Sequence, residues 1–464
     1  MRKKNFATIF SWAIITMLFI ACTKSDNNST TESNELADYT VIYFVSNGYG
    51  EDHDFDDQIA DVQSLLANGN VRFYCFNKYG HQSNAFSGRY GDPGMALEFE
   101  LTPKTNLDSL RYTSVVGDST LVIYDPAVLQ GVLDRAKEKA PAQQYVLVIE
   151  GHGLGFAPDI DYPKDGPKWG KSNPYDQTVY FASKPANAPK MKGLLRDYFH
   201  GRNDMNMYEL RKAITSSQLG HLPLLMFNVC HMADLESITE IKDVVDYLIA
   251  SPFSVSESTG PVTELVRALQ EKEGLENQIE QMFRQMRPLW IKEYEESGGW
   301  TSNMALYDLR HMDEVIALMK LLGERLIELY HTQKAAIDAA TDSVYKYKDS
   351  EPHFDSMDYA RLLAEKTGDS ILTDIYQKMQ KANDKLVVME AIYADKLPTL
   401  PRFSMGVSIF DRDYYTTAET RGAWNYDECY ELCTFHQLTN WGQWFRTNEK
   451  KPTNNPTGEQ EPAE

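Results

Sequence analysis

Cysteine is scarce in this chain, which has five among its 464 residues. So few cysteines cannot supply the disulfide framework that holds small secreted domains together, so hydrophobic cores must provide the stability. Basic residues are also outnumbered, with 46 Lys and Arg against 67 Asp and Glu, which gives a formal net charge of −21. This balance argues against a nucleic-acid-binding protein, because neutralising phosphates requires clustered Lys and Arg.

Two motifs of well-known hydrolase classes are missing. The chain contains neither Gly-x-Ser-x-Gly nor His-Glu-x-x-His, so a serine esterase of the usual kind and a zinc metallopeptidase both lose support. The acidic run at residues 52–57 resembles the start of a calcium loop, but its sixth position is Asp57 rather than Gly. Helix capping by these acidic residues explains the run better. The residues alone therefore assign no metal and no cofactor.

Residues 1–21 are predicted to be a signal peptide. Three basic residues precede an apolar stretch over residues 6–20, which is too short to span a membrane comfortably. A small residue, Ala21, then stands directly before Cys22. This pattern resembles a bacterial lipoprotein signal, and it implies lipid attachment at Cys22 and export to the outer membrane or the cell surface. The alternative is an ordinary secretory signal followed by a chance cysteine.

The rest of the chain divides into four stretches by composition. Residues 22–37 are small and polar, as in a flexible tether, and the proline-containing tail at 448–464 is predicted to be disordered. Residues 38–272 alternate apolar, β-branched runs with segments of helical spacing. Residues 273–447 are predicted to be mostly helical, and the economical interpretation has them return a strand near 403–410 to the sheet of the first region.

The alternation of strands and helices predicts an α/β fold. The predicted strands are residues 41–45, 71–76, 121–124, 145–149, 222–229 and 247–250. The predicted helices are residues 55–66, 126–139, 207–217, 238–245, 312–340 and 369–394. Strand, helix, strand in this order indicates parallel pairs with right-handed crossovers, hence a three-layer α/β/α structure around a mostly parallel sheet.

Two predicted strands run into reactive residues. One is followed by His152 and Gly153, and the other by Cys230. Because the carboxyl ends of parallel strands meet at one edge of a sheet, the histidine and the cysteine can lie together there. A thiol whose proton is handled by an imidazole is what nucleophilic catalysis needs, and the Gly153 and Cys230 N–H groups would form an oxyanion hole. The alternative is a core cysteine and a turn histidine.

The two motif-bearing segments, PAQQYVLVIEGHGLGF at 141–156 and FNVCHMADLE at 227–236, resemble the clostripain family of cysteine peptidases. Shorter matches at 125–129, 208–210 and 247–251 follow the same order. The resemblance covers residues 39 to about 270 and, more loosely, the predicted strand at 406–410 with Trp441 and Trp444. It implies the fold shared by caspases, legumains and gingipains. It also implies that Cys230 attacks the scissile carbonyl and that His152 protonates the leaving amine.

One position departs from the family pattern in a way that concerns specificity. The family usually has Asp two residues before the cysteine, where it helps to hold a basic side chain in the S1 pocket, and this chain has Asn228. A neutral amide supplies no Coulomb attraction, so a preference for Arg or Lys is in doubt. Glu257, where the family often has acidic residues, could compensate. Some relatives use calcium, which the resemblance leaves open without assigned ligands.

The sequence thus predicts an exported, membrane-anchored, clostripain-like cysteine endopeptidase. Its partners would be a peptide or protein substrate and a lipid anchor, and no nucleic acid. The substrate would pass through a thioacyl-enzyme formed on Cys230. The alternative is a catalytically inactive, surface-anchored binding protein on the same fold.

Overall fold

Apolar runs rich in β-branched and aromatic residues form the strands of this protein. In the computed structural model, the described residues are 36–47, 52–79, 94–118, 120–158, 191–197, 203–252, 255, 262–296, 304–345, 353–390, 408–410 and 433–447. Their strands, in chain order, are β1 (Ala37–Asn47), β2 (Val71–Tyr79), β3 (Ala96–Leu101), β4 (Val115–Gly117), β5 (Ala142–Glu150), β6 (Gly153–Pro158), β7 (Met191–Asp197), β8 (Asn203–Met205), β9 (Leu222–Asn228), β10 (Val245–Ala250), β11 (Ala305–Asp308), β12 (His353–Asp355), β13 (Val387–Glu390) and β14 (Ser408–Phe410).

Helices occupy most of the described residues between the strands. They are α1 (Asp52–Leu65), α2 (Leu110–Thr113), α3 (Pro126–Lys139), α4 (Met207–Ser216), α5 (Leu235–Ile241), α6 (Val262–Leu269), α7 (Leu275–Glu296), α8 (Met312–Ser343), α9 (Ser356–Thr367), α10 (Ser370–Leu386), α11 (Thr434–Thr439) and α12 (Trp441–Thr447). Several of them begin where an Asp or Asn side chain accepts a backbone N–H of the first turn, namely at Asp125, Asn206, Asp234, Asp355 and Asp369. These caps satisfy donors that a helix leaves open at its start.

Nine strands of the described residues form one mixed sheet in the order β13-β11-β10-β9-β5-β1-β2-β3-β4. The five central strands, from β10 to β2, pair in parallel. The strands beyond them on both sides pair antiparallel. Helices cover both faces, so the predicted three-layer α/β/α fold is confirmed. The parallel centre places the carboxyl ends of five strands at one edge.

The central strands are buried on both faces, which explains why they are apolar without alternation. In β1, Ile42 and Phe44 belong to one buried cluster, while Tyr43 and Val45 belong to the other. Residues of α3, α4, α5 and α8 pack in the first cluster, and residues of α1, α6 and α7 pack in the second. Two apolar clusters therefore enclose the sheet.

One predicted strand is wrong. Residues 121–124 form a turn rather than a strand, although Ile123 and Tyr124 are buried in the core. The chain must reverse there because Asp125 caps α3 and Pro126 occupies its first turn. Ile123 and Tyr124 are apolar because they are buried in the core, and not because they pair with a neighbouring strand.

The second region contributes strands to the main sheet at places other than the one predicted. The described part of the 403–410 segment, β14, pairs antiparallel with β12 in a separate two-stranded sheet. The strands that extend the main sheet are β11 and β13. The helix predicted to reach residue 394 ends at Leu386, because Val387 and Val388 are β-branched and continue as an edge strand. Strands from both sides of residue 272 thus share one sheet.

Several predicted features lie outside the described residues. These are the signal peptide with Cys22, the tail at 448–464, and residues 403–407 of the predicted strand. The predicted tether is described only at residues 36–37, and β1 already begins at Ala37. Within the described ranges, no helix combines the length and the apolar character needed to cross a membrane.

Glu390 makes the stability of the fold depend on pH. Burial, with Asp355 nearby as a second cause, raises the pKa of the Glu390 carboxyl from 4.5 to about 8. The folded protein therefore retains a proton that the unfolded chain releases, and stability falls as pH rises from about 4.5 to about 8. The slope from this one group is about 1.4 kcal/mol per pH unit.

Replacing Glu390 by Gln should flatten the decline of the melting temperature between pH 5 and pH 8 and make the protein more stable than wild type at pH 8. Thermal unfolding followed by circular dichroism across this range would measure it. Glu324→Gln, a change at an exposed position of α8, is the matched control and should keep the wild-type slope. An unchanged slope in the Glu390 variant would contradict the assignment.

Candidate active site

The carboxyl ends of β5 and β9 bring the candidate catalytic residues to one edge of the sheet. The two strands pair in parallel, and their last residues, Glu150 and Asn228, are partners in register. The pairing continues for one more step, because the Gly151 N–H donates to the Asn228 carbonyl oxygen at 3.4 Å. His152 and Cys230 follow these two strand ends at the same spacing, and both are partly exposed. The histidine and the cysteine thus leave neighbouring strands in parallel.

Cys230 lies in a sharp turn between β9 and α5. The next residue, His231, has a φ of 58°, in the left-handed region that residues with side chains rarely occupy. Its buried ring contacts the Pro252 carbonyl oxygen through Nδ1 at 3.1 Å. The Val255 N–H donates to the Cys230 Sγ, with nitrogen and sulfur 3.2 Å apart. The Cys230 thiol in turn donates to the Val255 carbonyl oxygen at 3.6 Å, so the backbone of Val255 fixes the position of the sulfur.

The other two described cysteines have a different environment. Burial is the main cause that raises the pKa of the Cys75 and Cys433 thiols well above their usual value. Both therefore stay protonated at neutral pH, and a protonated thiol is a poor nucleophile. Among the described cysteines, Cys230 is the one that is partly exposed and near the carboxyl edge of the sheet.

A carboxylate stands beside Asn228. The Asn228 Nδ2 donates to Glu150 Oε2 at 2.7 Å, across the β5–β9 pair. The Asn228 side chain is 4% exposed, and its Oδ1 has no hydrogen-bond partner among the described residues. A buried acceptor without a donor is costly to maintain, so this site is suited to a ligand that brings an N–H or O–H group. The position of Glu150 just before the His152 motif is visible in the sequence, but its contact with Asn228 requires the three-dimensional fold.

Gly153, the predicted oxyanion-hole glycine, begins β6 directly after His152. It is buried and pairs with Leu194 of β7 in an antiparallel three-stranded sheet. The structure therefore keeps Gly153 at the same edge as Cys230. Its role towards an oxyanion remains a prediction.

The segments that follow the histidine and the cysteine are joined by Asp234. This residue caps α5, where its Oδ1 accepts the Ser237 N–H at 2.8 Å. Its Oδ2 accepts the Phe156 N–H from β6 at 3.0 Å. The carboxylate is fully buried, and burial is the main cause that raises its pKa from 3.8 to about 6. The cap could be predicted from Asp before an apolar run, but the contact with β6 requires the three-dimensional fold.

Two predicted residues cannot be compared with the structure, because Glu257 and Cys22 lie outside the described residues. Calcium binding is likewise untested. Within the described ranges, no group of three or more His, Cys, Asp or Glu side chains is arranged to hold a metal ion. The candidate site therefore consists of His152, Gly153, Asn228 and Cys230 as predicted, with Glu150 and Asp234 added by the structure.

Solved structures with a similar fold include two that are described as C11 proteases. One is a secreted C11 cysteine protease from Bacteroides thetaiotaomicron in complex with an irreversible peptide inhibitor, at 14% identity and a TM-score of 0.56, covering 88% of this chain and 100% of that one. Another is an inactive zymogen of a C11 protease from Parabacteroides distasonis, at 15% identity and a TM-score of 0.52, covering 87% of this chain and 98% of that one. No curated protein matches the chain. These likenesses extend over nearly the whole of both chains.

The model of the clostripain family, the C11 peptidases, matches residues 181–446, which is more than half of the 464 residues. The matched range includes Asn228 and Cys230, while His152 lies before it. The match thus supports the predicted resemblance over a range that extends well beyond residue 270. The chain belongs to the clostripain family and is a cysteine endopeptidase.

Proposed function

We propose that this protein is an exported endopeptidase in which Cys230 is the nucleophile and His152 the proton carrier. The observation that carries the proposal is the register of β5 and β9, in which Glu150 pairs with Asn228. His152 and Cys230 each follow these paired residues by two positions, so both lie at the same edge of the sheet. The contacts of the Val255 N–H and carbonyl oxygen with the Cys230 Sγ support the nucleophilic role because they fix the sulfur at the edge of the sheet.

The reaction then runs in two steps. The Cys230 thiolate forms a bond to the scissile carbonyl carbon, and the carbonyl oxygen takes up negative charge facing the Gly153 and Cys230 N–H groups. The C–N bond breaks as the His152 imidazolium gives its proton to the leaving amine. A water molecule next gives a proton to His152 and attacks the thioester, the C–S bond breaks, and the acid product leaves with the thiolate restored.

Export and lipid attachment form the second part of the proposal. The support is the N-terminal pattern that ends at Cys22, together with the description of the Bacteroides relative as secreted. Cleavage before Cys22 and lipidation of its thiol would hold the peptidase at a bacterial membrane. Residues 23–35 would then separate the peptidase from the lipid.

The pocket for the residue before the scissile bond is proposed to include Asn228 and Glu150, with Glu257 as a further candidate. Asn228 offers the unpartnered Oδ1 described above, and Glu150 offers negative charge 2.7 Å from the amide nitrogen. Because the amide donates to the carboxylate, the two side chains act as one unit with acceptors and a negative charge. Such a unit favours substrate side chains that carry N–H donors and positive charge.

The nucleophile is tested by replacing Cys230 with Ala. We expect hydrolysis of fluorogenic peptides to fall by about a thousandfold or more, because the covalent step is lost. The panel should vary the residue before the scissile bond and be measured with and without calcium. Cys75→Ala is the matched control: this thiol is buried and protonated, so its removal should change stability but not turnover per folded molecule.

Labelling by a peptidyl acyloxymethyl ketone at Cys230 provides a second measurement. Wild-type protein that neither cleaves any peptide nor reacts with this reagent would contradict the proposed peptidase. It would favour a binding protein on the same fold.

The role of the Glu150–Asn228 unit is tested by moving its negative charge from position 150 to position 228. Glu150→Gln should lower kcat/KM for peptides with Arg or Lys before the scissile bond by about tenfold, relative to peptides with Leu there, because the negative charge is lost. Asn228→Asp alone should give little gain, since two carboxylates at this distance share a proton. The double variant Glu150→Gln/Asn228→Asp should recover the preference. An unchanged ratio in Glu150→Gln would contradict the role of Glu150.

A further inference from the structure

Asp234 is placed where it can couple the two halves of the candidate site. It follows Cys230 by four residues, and the residue whose N–H it accepts, Phe156, follows His152 by four residues. One carboxylate therefore bonds to the segment that carries the histidine and caps the helix that follows the cysteine. Glu150 and Asn228 are partners in the sheet, and Phe156 and Asp234 each lie six residues after them. The hydrogen bond between Asp234 and Phe156 therefore continues the same register beyond the end of the sheet.

The two segments touch at Gly155. This glycine has a φ of +66°, and a Cβ added to it would lie 2.3 Å from the His231 carbonyl oxygen and 2.8 Å from Asp234 Oδ2. Both distances are below any normal contact, so the segment after His152 lies directly against the turn after Cys230. Only a residue without a side chain allows this approach. The two backbones are therefore close enough for the hydrogen bond between Asp234 and Phe156 to fix the spacing between them.

A carboxylate is chemically required at this position, because two N–H donors converge on it. Oδ1 serves Ser237 and Oδ2 serves Phe156, whereas an amide has one acceptor oxygen and would turn its NH2 group towards the other donor. The cap of α3 shows the contrast. Asp125 is exposed, and its cap bond goes to Ala127 within its own helix. Helix capping alone does not demand burial of the charge, which is unfavourable.

The turn that carries Cys230 is also anchored on the opposite side, towards β10. The Ala233 N–H donates to the Ser251 carbonyl oxygen at 3.1 Å, and His231 contacts Pro252. Loss of the bond to Phe156 should therefore release the histidine-bearing segment and leave the cysteine-bearing turn in place. The expected consequence is a misplaced imidazole beside a correctly placed thiol.

We propose that Asp234 is a positioning residue, whose buried carboxylate holds the segment after His152 against the turn after Cys230 and so sets the distance between imidazole and thiol. This inference rests on the proposed roles of His152 and Cys230. The Asp234 carboxylate bonds to the Phe156 and Ser237 N–H groups, which lie on the segments that follow His152 and Cys230. Its effect on turnover acts through the placement of His152.

The test compares Asp234→Asn with wild type in kcat and KM for the best peptide of the panel. An error of about 1 Å in placing a catalytic group costs up to about a hundredfold in rate, so we expect kcat to fall by about tenfold to a hundredfold and KM to change by less than about twofold. Asp355→Asn is the matched control. Asp355 is also a fully buried cap, accepting the Asp358 N–H at 2.7 Å, and it lies in the region of β12 and α9.

The control variant should lose thermal stability while its kcat per folded molecule stays within about twofold of wild type. An equal loss of kcat in both variants would overturn the proposal, because it would show a general effect of removing a buried cap. Unchanged kcat in folded Asp234→Asn would overturn it as well.

A second measurement does not need peptide cleavage. The rate at which iodoacetamide alkylates Cys230, followed by mass spectrometry of the Cys230 peptide across pH, reports whether an imidazole lies beside the thiol. We expect the Asp234→Asn profile to approach that of His152→Ala, whereas the Asp355→Asn profile matches wild type. If the Asp234→Asn profile changes in this way but the wild-type protein cleaves no peptide, the positioning role is supported and the proposed function is refuted. If the Asp234→Asn profile equals that of wild type, the positioning role alone is overturned.

Discussion

The backbone pairing of β5 with β9 is the constraint on which the candidate site depends. Both strands are apolar on both faces, so hydrophobic alternation does not by itself fix their register. A slip of one residue would turn Glu150 and Asn228 to opposite faces and separate the segments that follow them. The observed register instead brings the two polar strand ends into a hydrogen bond of 2.7 Å. Polar residues at the ends of buried strands thus provide positional information that the apolar interior lacks.

Much of the fold and the core of the site could be predicted from the sequence. Strand β9 and helix α3 are predictable because an apolar run and helical spacing are strong local signals, and His152 and Cys230 because both follow apolar runs. The strand expected at residues 121–124 failed because a turn can be as apolar as a strand when it is buried. Strands β11 and β13 are not predicted, since strands of only four residues leave little local pattern. The roles of Glu150 and Asp234 depend on contacts between segments distant in sequence, which no local pattern contains.

The charge near the candidate site depends on positions 150 and 228 together. The sequence by itself shows a neutral Asn228 where the clostripain family usually has Asp. From this change alone, a weaker attraction for basic substrate side chains would be expected. The structure adds Glu150, whose carboxylate receives the amide of Asn228. An acidic residue at position 228 would meet that carboxylate directly, so the neutral amide is the compatible neighbour. The charge at these strand ends is therefore a property of the pair, and a substitution at either position changes the effect of the residue at the other.

The main sheet is completed by strands that come late in the chain, and this has a consequence for biosynthesis. β11 and β13 extend the sheet beyond β10, but β13 ends only at Glu390, long after β9 has been made. At about 5–20 residues per second, the ribosome needs on the order of ten seconds or more between these strands. Until β11 pairs with β10, and β13 then pairs with β11, the outer edge of the growing sheet offers unpaired N–H and C=O groups, which are a template for association with other chains. The N-terminal part of the chain therefore cannot complete the sheet by itself, and its open edge stays prone to association until the C-terminal strands pair there.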